Sequence, residues 1–350
     1  MKNILVTHAY SRLNSGDGLL VDETINVVSR AFPNAKITVV ASHPDTFAFD
    51  NVRIVSSKPR SWRSLKEYCR LLIQIADFDL VVAVGGGYLR ARSGLDLVKM
   101  SIIHGPQLVA TALAPSRSVY MPQSIGPFDK VTSKLVRRLL ARIDNVYVRD
   151  DRSLSLLGKS IATRSMDLAV MSGELNERTT REVEPKPILS VRKVGRGGDE
   201  KIDVLATMIR PFDGLIQSSV SGNNDVEATE RIRPETIVDH TADDGRSQRR
   251  VVVAVRLHAA LMALHQGHYV IHLAYERKGF GAFQDLGLSG FVHNVYDFDP
   301  AKVADQCREL LRSENVRQAY DAALNSSRAD RETERSRLLS CVETGRGLHA

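Results

Sequence analysis

Cysteine is scarce in this sequence and long apolar runs are missing. Cys69, Cys307 and Cys341 are the only thiols in 350 residues. They are odd in number and far apart, so no disulfide framework is expected. None lies at metal-ligand spacing from another, so buried thiols in a reducing compartment are expected and a metal centre is not. No apolar stretch approaches the roughly 18 residues of a membrane-spanning helix. The opening MKNILVTHAY carries one Lys before a short apolar run and has no cleavage-like continuation, so no signal peptide is expected and a cytoplasmic location is. An RNA-binding or helix-turn-helix signature is also missing.

What is present is the make-up of a globular protein. Hydrophobic residues are 43% and charged residues 25% of the chain, and its length suits two domains of about 150 residues each. The net charge of +7 favours anionic partners such as anionic lipid or phosphorylated small molecules. The basic residues are spread out rather than gathered in a tail, which sets nucleic acid aside as a partner.

The recurring pattern is a short apolar run, a Gly-containing or polar loop, then an amphipathic helix. That alternation predicts α/β architecture with mostly parallel sheets. Strands are expected at Asn3–Thr7, Lys36–Ala41, Val52–Val55, Leu80–Val84, Ser118–Met121, Val146–Arg149 and Leu168–Met171. Helices are expected over Leu19–Ala31, Trp62–Ile75, Ser133–Ile143 and Ser153–Lys159. Residues 176–187 (NERTTREVEPKP) read as a linker. After it, strands are expected at Ile188–Val191, Leu215–Val220, Val251–Val255 and Tyr269–Ala274, with helices over Asp199–Ile209 and His258–Gln266. The chain is helical and charged from Pro300 onward. The expected organisation is therefore an N-terminal domain over 1–175, the linker, a C-terminal domain over 188–300, and terminal helices and a tail over 301–350. Two facing Rossmann-like domains follow from this order.

In such sheets ligands sit beyond the C-terminal ends of the strands, so the residues just after each strand are the ones to read. After the first comes Asn14-Ser15-Gly16-Asp17-Gly18. Asp17 can contact a sugar hydroxyl, or cap the following helix in a plain tight turn. Gly85-Gly86-Gly87 follow a buried strand; either a ligand or a crossing backbone would need their space. Gln123 and Ser124 offer neutral hydrogen-bonding groups suited to sugar hydroxyls, or to a structured turn. Arg149 at a strand tip can grip phosphate or carboxylate, or pair with an Asp. Arg256 and His258 share one direction if their strand persists, and His258 is placed for acid–base work or for a structural role. Lys278 can supply a point charge to an anion or remain solvated.

Taken in order, Asn14 with Gly16-Asp17, Gly85-Gly86-Gly87, Gln123-Ser124-Ile125-Gly126-Pro127, Arg149-Asp150 with Ser153, Arg256-Leu257-His258 and Tyr275 with Lys278-Gly279-Phe280 resemble the polysaccharide pyruvyl transferase family. The resemblance thins over 176–250 and beyond 300. It implies a GT-B-like architecture of two Rossmann-like domains, a phosphoenolpyruvate donor and, as acceptor, a sugar of a cell-surface glycan or its lipid-linked precursor. The product would be a pyruvate ketal, with phosphate released and no cofactor or metal needed. Arg149, His258 and Lys278 are the donor residues it implies. His258 is then the proton donor, with Arg149 and Lys278 on the anionic ends, Arg256 a further substrate-binding residue and Asp17 the base or orienter of the acceptor hydroxyl. Gly85, Gly86, Gln123 and Ser124 complete the expected substrate contacts. The first domain is the expected acceptor side and the second the donor side.

Residues 57–70 (SKPRSWRSLKEYCR) are basic with interleaved aromatics, a composition that serves either a solvated helix face or a peripheral contact with the inner face of the membrane. Two rivals share the architecture: a GT-B glycosyltransferase with a nucleotide-sugar donor, and a non-catalytic glycan-binding subunit.

Overall fold

The computed structural model describes residues 1–91, 94–172, 182–218, 224–238 and 248–345. The chain divides into two compact units. One comprises Met1–Arg12, Gly16–Met171 and Arg331–Ala350; the other Leu13–Ser15 and Ser172–Asp330.

In the first unit strands and helices alternate: β1 Asn3–Ala9, α1 Ser15–Ala31, β2 Lys36–Ala41, β3 Val52–Ser56, α2 Trp62–Ile73 and β4 Leu80–Ala83. Then come α3 Gly94–Ile103, α4 Gly105–Leu113, β5 Arg117–Gln123, α5 Lys130–Leu140 and β6 Asn145–Val148. The alternation ends with α6 Asp151–Leu157, β7 Thr163–Arg164 and α7 Leu168–Met171. The strands form a parallel sheet ordered β3-β2-β1-β4-β5-β6-β7. Every residue of β4 is buried, as expected where helices cover both faces of a parallel sheet. Side-chain caps start several helices: Ser61 and Ser64 form a capping box on α2, and Asp129 and Asp150 accept from backbone N–H groups of α5 and α6.

The second unit carries β8 Ile188–Ser190, α8 Gly198–Met208, β9 Asp213–Leu215, α9 Val226–Arg231, β10 Ile237–Val238 and β11 Val251–Ala254. It continues with α10 Leu257–His265, β12 Tyr269–Ala274, α11 Arg277–Asp285, β13 Val292–Asn294, α12 Pro300–Arg312 and α13 Glu314–Ser326. Its strands are also parallel, in the order β10-β9-β8-β11-β12-β13. The last helix, α14 Arg328–Thr344, returns to the first unit. There Leu338, Cys341 and Val342 are buried, and Arg117 donates to the Val342 carbonyl at 2.6 Å.

Some expectations change. Leu168–Met171 is a helix rather than a strand, because the Asp167 carboxylate accepts from the Ala169 N–H at 2.9 Å and turns the chain. The strand expected over Leu215–Val220 ends at Leu215, and 219–220 lie outside the described residues. Of the expected linker, 176–181 lie outside the described residues. At 182–184, backbone bonds run from Arg249 to Glu182 at 2.9 Å and from Glu184 to Arg249 at 2.8 Å, inside the second unit.

Two buried imidazoles give the fold a pH dependence. His272 on β12 bonds the Ala254 carbonyl through Nδ1 at 2.8 Å, and burial holds its pKa down to about 4. His104 is held at about 4 by burial and by the cation of Lys58. Both lie below the ordinary 6.5, so the unfolded chain takes up protons first as the pH falls. The stability present above about 6.5 is therefore lost progressively down to about 4, on the order of 3 kcal/mol per imidazole. Urea-unfolding midpoints should fall over that window. His272→Asn, whose amide can keep the bond to Ala254, should flatten the fall. Gly279 on α11 faces the same ring: a Cβ there would stand 2.3 Å from His272 Nε2 and 2.9 Å from Ala274 Cβ. Gly279→Ala should lower stability by about 1–3 kcal/mol through overpacking, read from the same unfolding curves.

Candidate functional site

Both sheets have the strand order of a doubly wound fold, in which the direction of winding reverses once. The reversal falls between β1 and β4 in the first unit and between β8 and β11 in the second. Crossovers on opposite sides of the sheet leave a crevice there, at the C-terminal ends of the strands.

In the first unit, Asp17 lies in the first turn of α1, half-buried; burial, and then the Asp17 carboxylate, raises the pKa of the Tyr10 hydroxyl. The glycine loop follows β4. Gly85 has no room for a side chain: a Cβ would lie 2.8 Å from the Pro122 carbonyl oxygen. Gly86 sits at φ +143, and its carbonyl accepts from the Ser124 N–H at 2.7 Å. The crossing backbone of β5 thus supplies a physical need for these glycines. Gln123, at the end of β5, is fully buried, its amide beside the equally enclosed Tyr88 hydroxyl.

Arg149 follows β6 and is buried. Its Nη1 donates to Asp167 Oδ2 at 2.5 Å and its Nε to Ser124 Oγ at 3.0 Å. Its Nη2 reaches the glycine loop, 3.7 Å from where a Gly87 Cβ would stand. The structure therefore brings Gly85, Gly86, Gln123, Ser124 and Arg149 together. It adds Asp167, a partner 18 residues along the chain that strand-tip reasoning missed.

In the second unit the loops after three adjacent strands deliver cations to one edge. Arg192 follows β8; its Nη1 donates to the Tyr275 hydroxyl at 3.1 Å, and its guanidinium lies 4.9 Å from that ring's centre. Arg256 follows β11 and makes a two-pronged pair with Asp225, both bonds 2.6 Å, with both residues buried. His258 stands in the first turn of α10, half-buried. Lys278 stands in the first turn of α11, its ammonium 3.1 Å from the Glu276 carboxylate. The sequence reading missed Arg192 and Asp225. Arg192 could have been found as the cation just beyond the apolar run 188–191; Asp225 lies in a stretch without periodicity.

A further polar group lies behind the first unit's crevice, also missed from sequence. His8, at φ +66 near the end of β1, stacks on Tyr88 at 4.4 Å between ring centres. Its Nδ1 lies 3.2 Å from His104 Nδ1 and its Nε2 3.1 Å from the Tyr120 hydroxyl. Burial, then the neighbouring His104, lowers the pKa of His8. No signal in the spacing of these four residues announces their contact.

Comparison with known proteins bears on the fold and the family. Solved structures similar to this chain include a Staphylococcus aureus protein, MnaA, solved with UDP: TM-score 0.56, 11% identity, 98% of this chain and 96% of that one covered. A ugt transferase from Siraitia grosvenorii in complex with UDP gives TM-score 0.53 and 12% identity over 97% of this chain and 100% of that one. A UDP-GlcNAc 2-epimerase from Methanocaldococcus jannaschii gives TM-score 0.51 and 8% identity over 90% and 94%. At such identities the likeness is one of fold, the GT-B type of two parallel-sheet α/β domains. No curated protein matches the sequence. The family model described as polysaccharide pyruvyl transferase matches residues 14–233, a stretch that takes in Asp17, Gly85, Gly86, Gln123, Ser124 and Arg149 and stops short of Arg256, His258 and Lys278. With well over half of its length matched, the chain belongs to the polysaccharide pyruvyl transferase family and is a transferase.

Proposed function

We propose that the protein transfers the pyruvyl group of phosphoenolpyruvate to a sugar of a cell-surface polysaccharide, or to that sugar on a lipid-linked precursor, forming a pyruvate ketal and releasing phosphate. The observation that carries this reading is the family match over residues 14–233. In the second unit Arg192 and Lys278, which follow β8 and β12, stand at the C-terminal ends of one sheet, a placement that suits an anionic donor.

The chemistry assigned to these residues balances without a cofactor. His258 as imidazolium gives its proton to the methylene carbon of the enol phosphate, leaving an oxocarbenium-like centre at the neighbouring carbon. A sugar hydroxyl adds to that centre and loses its proton to a base, a role assigned to Asp17. The bond from carbon to the bridging oxygen then breaks and phosphate departs. A second hydroxyl adds to the same carbon and closes the ketal; of the two hydroxyl protons, one leaves on the phosphate and the other restores the His258 imidazolium. Lys278, which pairs with Glu276, and Arg149, through the Nη2 beside Gly87, hold the carboxylate and the phosphate. Arg256, committed to Asp225, positions the loop from which His258 rises. Gln123 and Ser124 are the neutral groups assigned to sugar hydroxyls. The location assigned is the cytoplasm with a peripheral contact at the inner face of the membrane; among the described residues no helix is long and apolar enough to cross it.

His258→Ala should lower turnover by about 10²–10⁴ with the melting temperature unchanged, the usual cost of losing a general acid. Phosphate release with phosphoenolpyruvate and acceptor reads it, and turnover near that of the wild type removes His258 from the mechanism. In a thermal-shift series phosphoenolpyruvate should stabilise the protein and nucleotide sugars should not. The reverse order would favour a nucleotide-sugar donor, such as the UDP present in the Staphylococcus aureus and Siraitia grosvenorii structures would suggest. Arg149 needs a paired test, because deleting it alone strands a buried carboxylate. Arg149→Met should cost about 3–5 kcal/mol of stability, and adding Asp167→Asn, which removes the stranded charge but keeps an oxygen for the Ala169 N–H, should recover most of it. If the guanidinium also holds the donor, the double variant stays stable and still binds phosphoenolpyruvate at least tenfold more weakly by calorimetry. An unchanged affinity would leave Arg149 with Asp167 alone.

A further inference from the structure

Three consecutive helices of the first unit carry exposed apolar residues on their outer sides. On α3 these are Leu95, Val98 and Ile102, 75%, 53% and 66% exposed. Their spacing of three and four places them on one face. On α4 they are Val109 and Leu113, and on α5 Val131 and Leu135, each pair four residues apart. The inner sides of the same helices are apolar too: Met100, Leu108, Ala112, Val136 and Leu140 share one core cluster, which joins α3, α4 and α5 side by side. On α3 the exposed residues lie opposite buried Met100; on α4 and α5 Val109, Leu113 and Leu135 stand one position from buried Leu108, Ala112 and Val136, so the apolar stripe widens out into solvent. These exposed residues lie on three helices that share one core cluster.

The charge around them has one dominant sign. Lys99, Lys130, Lys134, Arg137 and Arg138 are all exposed on these helices. The acids within the same segments are Asp96 on α3 and Asp129, which is spent on capping α5. On α5, Lys134 and Arg138 alternate with Val131 and Leu135 along the exposed face, so their stems extend the apolar surface while their heads reach outward. Apolar side chains set among cations suit an interface of acyl chains beneath anionic headgroups. A second copy of the chain suits it less, since it would bring the same cations to the same rim.

We infer that the face built by α3, α4 and α5 rests on an anionic phospholipid surface. This deepens the peripheral-membrane part of the proposed function and rests on it, but not on the pyruvyl chemistry. It also moves the contact away from 57–70. There Tyr68 points into the core at 5% exposure and Arg53 pairs with Glu67 at 2.6 Å, although Trp62 remains exposed.

Flotation with vesicles of phosphatidylcholine and phosphatidylglycerol in equal parts, against pure phosphatidylcholine, tests the assignment. Three proteins are compared: wild type, a Val98→Glu/Ile102→Glu/Leu135→Glu variant, and an Arg63→Glu/Lys66→Glu variant on α2. The expected result is that wild type and the α2 variant float with the anionic vesicles alone. The apolar-face variant should lose at least tenfold in bound fraction with an unchanged melting temperature, as befits exposed positions. If that variant floats like wild type, the face is wrong while the membrane contact stands. If wild type floats with neither vesicle, the membrane contact itself fails. If light scattering shows a wild-type dimer that the variant breaks, the face joins two copies and the lipid assignment is overturned. Phosphate release with a soluble acceptor, measured on all three, separates every one of these outcomes from a failure of the proposed chemistry.

Discussion

A strand that runs parallel to its neighbours delivers its following loop to the same side of the sheet as theirs. Both units obey this constraint along their whole sheets, and each reverses its winding once, between β1 and β4 and between β8 and β11. Everything chemical in the molecule follows from that arrangement. Residues as distant in sequence as Gly86 and Arg149, or Arg192 and Lys278, reach one edge of one sheet because each stands just past a strand end.

An edge crowded with cations has to be held in place, and both units use the same device. Arg149 is clamped by Asp167, whose other oxygen starts α7. Arg256 is clamped in a two-pronged pair by Asp225, the residue that precedes α9. In each case a guanidinium at a strand tip is tied to a carboxylate at the start of a short helix. The cost of burying the charges is offset by short bonds on both prongs or by a further hydroxyl, as with Ser124 on Arg149. Such a pair fixes an angle as well as a charge, and fixed angles are what directed binding of a small anion requires.

The strands were legible in the sequence because a parallel sheet covered on both faces demands unbroken apolar runs, and Lys36–Ala41 and Tyr269–Ala274 are found with the expected bounds. The same rule misled at Leu168–Met171, a short apolar run that is helical because Asp167 caps it. Helices α3 and α4 escaped because apolar residues are not confined to their buried sides: Leu95, Val98 and Ile102 lie opposite Met100, and Val109 and Leu113 are exposed while Gln107 and Thr111 are buried, which blurs the periodicity that marks an amphipathic helix. At the candidate site, the tip residues were legible from strand ends alone. Their partners Asp167 and Asp225 were not, since a carboxylate's role depends on a contact across 18 or 31 residues that no local pattern encodes. The triple glycine announced that space was needed; only the Pro122 carbonyl explains what takes it.

The path of α14 sets an order of assembly. Leu338, Cys341 and Val342 complete the first unit's core, and Ser165 donates to Glu334 at 3.1 Å. On the ribosome, part of the first unit's core therefore stays uncovered until α14 emerges. By then the whole of the intervening unit has been synthesised. Of the two units, the one whose sheet is made earlier is completed later.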